Sequence, residues 1–233
     1  MLIPLTRQAF EEIVPAIATG AQYLHYWGKS KDLLKRLLIS MVALTTFWLI
    51  GKLLGPGGET VKLIFDIIAG LYWLWGPVYW ASLRNGSYRR LPYSGFWQGE
   101  VLDVFITEEI VREEQTVNKR GELVVIENRE RLINLEVGDR EGFSAIVKAP
   151  IRRIYKVINP GDIAQMIVLS KQPDLSRIDK ITDVYLPQHN LWLGEYPALR
   201  RDIFSRVSEE FTPNEPNRRS KRVYPREIRR RRS

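Results

Sequence analysis

Lys62 and Asp66 are the one ionisable pair inside a long apolar run of this 233-residue chain. Spaced i and i+4, they share a helix face, where each can neutralise the other. Ionisable side chains in such a run are functional candidates by default, as contacts for a membrane partner or an ion. A self-contained structural pair is the alternative. Asp66 would sit only about two turns, ~9 Å, from the polar end of its helix, and Lys62 and Lys52 could both snorkel outward. Elsewhere the chemistry is thin. Absence of cysteine removes disulfides, thiolate metal sites and cysteine nucleophiles together. His25 and His189 are the only imidazoles, too few to suggest a zinc centre. Glu108, Glu109, Glu113 and Glu114 form an acidic cluster with no histidine nearby in sequence, which reads as a solvated strand face. Neither G-x-x-x-x-G-K-[ST] nor G-x-G-x-x-G occurs. The expectation is a non-enzyme with no cofactor and no metal site.

The elements that must carry these residues are apolar. Residues 37–54 and 61–83 are joined by Gly55-Pro56-Gly57-Gly58-Glu59-Thr60. As helices they would span about 27 Å and about 34 Å, close to the ~30 Å hydrocarbon core. Ser40, Thr45, Thr46 and Lys52 do not gather on one face, so the first run needs apolar surroundings on every side. The pattern predicts a two-helix transmembrane hairpin over 37–83. Lys29, Lys31, Lys35 and Arg36 precede it, and Arg84, Arg89 and Arg90 follow it. That excess puts both termini in the cytoplasm, or the stroma of a plastid. Tyr72, Trp73, Trp75, Tyr79 and Trp80 suit the headgroup level as an aromatic belt; a pigment or quinone site is the other reading. Gly70, Gly76 and Pro77 add a thin side and a kink. Upstream, residues 1–36 form an amphipathic segment carrying Phe10, Ile13, Val14, Ile17, Ala21 and Leu24 at helical spacing, with a break at Pro15. It would lie on the membrane surface or pack on the later domain.

Beyond Tyr93 the period changes to two. Leu102, Val104 and Ile106, then 123–126, 133–137, 143–147 and 163–169, predict five to seven short strands punctuated by Asn118-Lys119-Arg120-Gly121, Gly138-Asp139 and Asn159-Pro160-Gly161-Asp162. A small antiparallel barrel or sandwich over 84–194 follows. Residues 84–211 carry 19 basic and 20 acidic side chains, and Phe96, Trp97, Phe105, Phe143 and Tyr155 are scattered, so no DNA-binding face is expected. Ile151-Arg152-Arg153-Ile154-Tyr155-Lys156 reads as a basic strand, either solvated or turned to anionic lipid. Pro197 opens a helix over 195–211 with Leu199, Ile203, Val207 and Phe211 on one face. The last segment, 212–233, holds Arg218, Arg219, Lys221, Arg222, Arg226, Arg229, Arg230, Arg231 and Arg232, a net charge of +7. It reads as a disordered tail for anionic lipid, the ribosome or an acidic protein face. The fold class expected is an α+β membrane protein.

The stretches Leu54-Gly55-Pro56-Gly57-Gly58-Glu59-Thr60, Leu74-Trp75-Gly76-Pro77-Val78-Tyr79-Trp80 and Leu91-Pro92-Tyr93-Ser94-Gly95-Phe96-Trp97-Gln98-Gly99-Glu100 resemble a family of cyanobacterial and plastid thylakoid proteins. Some members carry the label phosphate transporter permease. The resemblance covers most of residues 1–210. It implies a thylakoid (or plasma) membrane setting and a connection with photosynthetic complex subunits, and hence an accessory role in photosystem assembly. A transporter component, with ion traffic past Asp66 and Lys62, is the rival. Two spans cannot enclose a pathway without several copies, and no inverted repeat is visible. A membrane-tethered binding module acting through the tail is the third reading.

Overall fold

The computed structural model describes residues 1–28, 30–54, 59–117 and 123–211. It divides into two compact units, one of residues 1–10 with 92–233 and one of residues 11–91, the division falling inside the first helix. The basic tail, the Gly-Pro-Gly-Gly turn and the tip at 118–122 lie outside the described residues.

The helical unit contains most of α1 (Arg7–Ile13) and all of α2 (Gly20–Trp27), α3 (Ser30–Leu54), α4 (Glu59–Gly70) and α5 (Tyr72–Arg89). The amphipathic segment is thus two helices, interrupted around Pro15. A capping box starts α2: Thr19 Oγ1 accepts from Gln22 N (3.4 Å) while Gln22 Oε1 accepts from Thr19 N (3.0 Å). The first apolar run begins earlier than expected, because Lys31 and Lys35 are good helix formers and Asp32 in the first turn complements the helix dipole, prolonging α3 toward its start. At about 38 Å it is long enough to cross a bilayer. The second run is not one helix. It breaks at Leu71, and α4 and α5 are bent by 73° there. Alone, α4 measures about 18 Å, short of a ~30 Å core.

The sheet unit is built from β1 (Leu2–Pro4), β2 (Tyr93–Val117), β3 (Leu123–Gly138), β4 (Ser144–Pro150), β5 (Ile163–Ser170), β6 (Lys180–Ile181), β7 (Val184–Leu186) and β8 (Leu191–Leu193). All pairings are antiparallel, in the order β4-β3-β2-β5-β7-β8, with β1 on β2 and β6 on β5. The expected barrel or sandwich is an open sheet. Its end strands β4 and β8 touch without pairing, because the sheet curls over one core. Period-two alternation sorts the side chains. Trp97, Ala164, Met166, Val168, Val184, Leu186 and Leu193 point into that core. Phe96, Tyr185 and Trp192 point the other way, against Phe204 of α6 (Arg201–Phe211). Both faces of β5 are therefore covered. The helix starts later than Pro197 predicts, and its buried stripe is Phe204 and Ser208 rather than Ile203 and Val207. Gln98, Gln165 and Ser208 explain the shift, since the polar chain Gln98–Gln165–Ser208 (3.0 and 2.6 Å) draws Ser208 under the helix.

Two carboxylates inside this unit behave oppositely. Asp139 accepts from Trp97 Nε1 (2.6 Å), Glu141 N (3.0 Å) and Phe143 N (3.1 Å). Burial alone would raise its pKa, but these donors outweigh it and hold the carboxyl below its ordinary value. Asp183 is fully enclosed between β6 and β7. Its Oδ1 accepts from Ala198 N (3.1 Å) while Oδ2 has no hydrogen-bond partner among the described residues, and burial raises the pKa to about 7 against weaker lowering by backbone donors and Arg201. The folded state therefore binds this proton more tightly than the unfolded chain. The contribution of Asp183 to stability is expected to be full below its unfolded pKa of about 4 and to be lost progressively as pH rises toward about 7, while that of Asp139, of opposite sign, is lost as pH falls. Asp183→Asn should remove the first of these dependences, as urea melts across pH will read.

Candidate membrane-facing site

In the helical unit α3 and α4 run antiparallel. Phe47 stacks on Phe65 at 5.2 Å, and the end of α4 at Gly70 lies beside Leu44. Gly51 faces Lys62 so closely that a Cβ there would fall 2.5 Å from Lys62 Cδ. The missing side chain leaves a slot for the lysine stem on α3. Lys62 Nζ stands 3.8 Å from Asp66 Oδ2, a loose ion pair, and Asp66 Oδ1 has no hydrogen-bond partner among the described residues. The structure thus brings the expected pair together, one turn apart on α4. Lys52 turns its ammonium over the Trp48 ring at 3.8 Å. A cation near the polar end of the hairpin is held by an aromatic face there.

The five aromatic residues fall at the start of α5, after the break, and do not stay together. Tyr72, Trp75, Tyr79 and Trp80 form a run of edge-on contacts of 5.1–6.1 Å, with Trp80 Nε1 donating to Tyr72 Oη (3.3 Å). Trp73 leaves them for Trp27 of α2, at 6.2 Å. Trp75 has a second task. Ile68 C=O loses its helical partner at the break, and Trp75 Nε1 takes its place at 2.8 Å. A backbone acceptor next to exposed apolar side chains is thereby satisfied.

On its other side α5 is joined to α2 by polar contacts that sequence reading missed. Gln22 and Asn85, both fully buried, share a 2.8 Å hydrogen bond. Ser82 Oγ accepts from Ala18 N at 3.3 Å. Arg89 donates to Glu11 O and Val14 O and pairs with the Glu11 carboxylate at 2.7 Å. Arg36, expected as a flanking cation, is buried. It donates to the carbonyls of Tyr26, Trp27 and Asp32 and lies over the Trp27 ring, closing the corner between α2 and α3. Only a buried Gln–Asn pair at the right helical spacing on two elements could have signalled this seam, and neither residue type is distinctive alone.

Outside this seam the apolar side chains of α3, α4 and α5 are largely exposed; Met41, mid-way along α3, is 63 % exposed. Of the other singled-out residues, the side chains of Glu113 and Glu114 lie outside the described residues. Glu108 and Glu109 are not a paired-carboxylate site; they form cross-strand ion pairs with Arg131 (3.0 Å) and Lys148. His189 meets Asp162 at 2.8 Å, and Asp162 also accepts from Asn159 N, bracing the turn before β5. His25 stacks edge-on against Tyr26. Among the described residues, no three His, Asp or Glu side chains gather as a metal-binding set.

One helix long and apolar enough to cross a membrane, a bent helix pair behind it and an open antiparallel sheet define an α+β chain with a lipid-length helix. The chain belongs to a family of unknown function, DUF8619, whose model matches residues 3–219. No curated protein and no solved structure matches it.

Proposed function

We propose that this protein is a non-enzymatic, integral membrane accessory factor that holds a partner of a photosynthetic membrane complex at the cytoplasmic face. The observation that carries the membrane part is the exposure of apolar side chains on α3 everywhere but the stripe through Leu44, Phe47 and Gly51 that meets α4. A soluble fold of this size would bury such a helix, and lipid is the solvent in which its exposure costs nothing. On this reading α3 crosses the bilayer, α4 turns back along it as far as Leu44, and α5 leaves at the 73° bend and carries its aromatic run toward the interface. Both termini then lie on the side of Lys31, Lys35 and Arg90. The sheet unit is the water-facing part and offers the binding surface, while 212–233 adds an attraction for anionic lipid or the ribosome.

The thylakoid setting rests on the likeness of the three quoted stretches to thylakoid proteins. Tagged protein purified from native thylakoid membranes in mild detergent should recover photosystem subunits or an assembly intermediate. Recovery of the tagged chain without any photosynthetic subunit would end the assembly reading and leave the membrane reading standing.

A further inference from the structure

The sequence Ile151–Lys156 reads as a basic strand, yet Arg153–Val157 folds as a 3-10 turn, closed by Tyr155 N to Arg152 O (3.1 Å) and Ile158 N to Tyr155 O (3.3 Å). In such a turn side chains three apart eclipse. Tyr155 and Ile158 form one stripe and enter the core of the sheet, with Tyr155 Oη donating to Trp192 O (3.3 Å). Ile154 and Val157 form a second stripe on the outside, extended by Ile151 just before the turn; the three are 50 %, 47 % and 44 % exposed. Arg153 and Lys156 form a third stripe, with Arg152 beside it, and all three cations are exposed. Among the described residues none of these cations forms an ion pair. Three aliphatic side chains standing in water cost free energy, and three unneutralised cations around them repel one another. The two buried anchors hold the arrangement in place against both costs.

We infer that this knuckle is a lipid-surface site that seats the sheet unit on an anionic bilayer. Ile151, Ile154 and Val157 enter the boundary between headgroups and acyl chains, and Arg152, Arg153 and Lys156 meet the phosphates above it. An anionic bilayer offers both chemistries at this spacing, hydrocarbon a few ångströms beneath a plane of negative charge. A raised turn that shows its aliphatics outward suits a deformable plane better than a rigid groove in an acidic protein. The inference rests on the membrane reading only in that α3 would keep a bilayer within reach of the sheet unit.

The chain has no cysteine, so single nitroxide labels can be placed at Ile154→Cys and, in a separate variant, at Met41→Cys. The full chain is reconstituted in bilayer discs of phosphatidylglycerol or of phosphatidylcholine, and collisions with oxygen and with a water-soluble nickel chelate are compared. The Ile154 label should gain oxygen and lose nickel contact in phosphatidylglycerol discs, and return to water in phosphatidylcholine discs or in high salt. Each cation adds about fivefold to the partition near an anionic surface, so Arg152→Gln with Arg153→Gln and Lys156→Gln should lower the inserted population by ~100-fold. An Ile154 label equally wet in both discs, or equally inserted in both, would overturn the proposal. The Met41 label reports separately. If it stays in water the membrane reading fails, and added phosphatidylglycerol vesicles then test the knuckle with the same Ile154 label.

Discussion

Trp97→Ala is expected to destabilise the sheet unit by about 3–5 kcal/mol, the range for emptying a large aromatic site in a core. Trp97 is enclosed by the curled sheet and meets Phe143 edge-on at 5.2 Å. Its indole N–H also donates to Asp139 at 2.6 Å, and Asp139 organises the turn between β3 and β4 through Glu141 N and Phe143 N. Truncation therefore leaves a void and removes one of the donors that keep Asp139 ionised. Trp97→Phe separates the two effects. It fills much of the ring space and should cost only the hydrogen bond, about 1–2 kcal/mol for a partly exposed carboxylate that water can reach. Urea unfolding followed by the remaining tryptophans in the solubilised chain would read both losses. Equal costs for the two variants would mean that the Asp139 bond, not packing, holds this core together.

Met41→Arg is the second large effect, and its sign depends on the solvent around α3. Met41 is among the most exposed apolar residues of the chain. If it faced water, arginine there would change stability by no more than about 0.5 kcal/mol. Facing the bilayer centre, an arginine costs about 2.5–3.5 kcal/mol in insertion. The expected result is a drop of about two to two and a half orders of magnitude in the ratio of integrated to released protein, with Met41→Leu indistinguishable from the parent. The fraction pelleting with membranes, set against total expression, measures it.

How far the sequence speaks depends on whether the deciding interaction is local. The long helix α3 is legible because an unbroken apolar run has few other fates. The strands of β3, β4 and β5 follow from period-two alternation, and so does an antiparallel β domain, whereas in place of the barrel or sandwich expected the sheet is open. The break at Leu71 is not legible, since composition stays apolar on both sides of it. Gly70 weakens the helix there, but what makes the break tolerable is an indole seven residues on, which satisfies Ile68 O. Pro77, the more obvious breaker, lies inside α5. Strand β1 is hidden for a different reason: Leu2–Pro4 pairs with residues more than ninety positions away, and three residues carry no periodicity of their own. At Ile151–Lys156 the strand expected is a 3-10 turn instead. Aliphatic residues at 151, 154 and 157 recur every third position, the mark of a 3-10 turn rather than of a strand. The Lys62–Asp66 pair followed from i,i+4 spacing alone, whereas the slot at Gly51 that receives the lysine stem depends on how two helices pack.

Extraction of native membranes with alkaline carbonate tests most directly whether the helical unit lives in lipid. The full chain should remain in the pellet with integral proteins and come out only with detergent. Its quantitative release into the carbonate supernatant would contradict a bilayer-crossing α3, and with it the accessory role built on that helix.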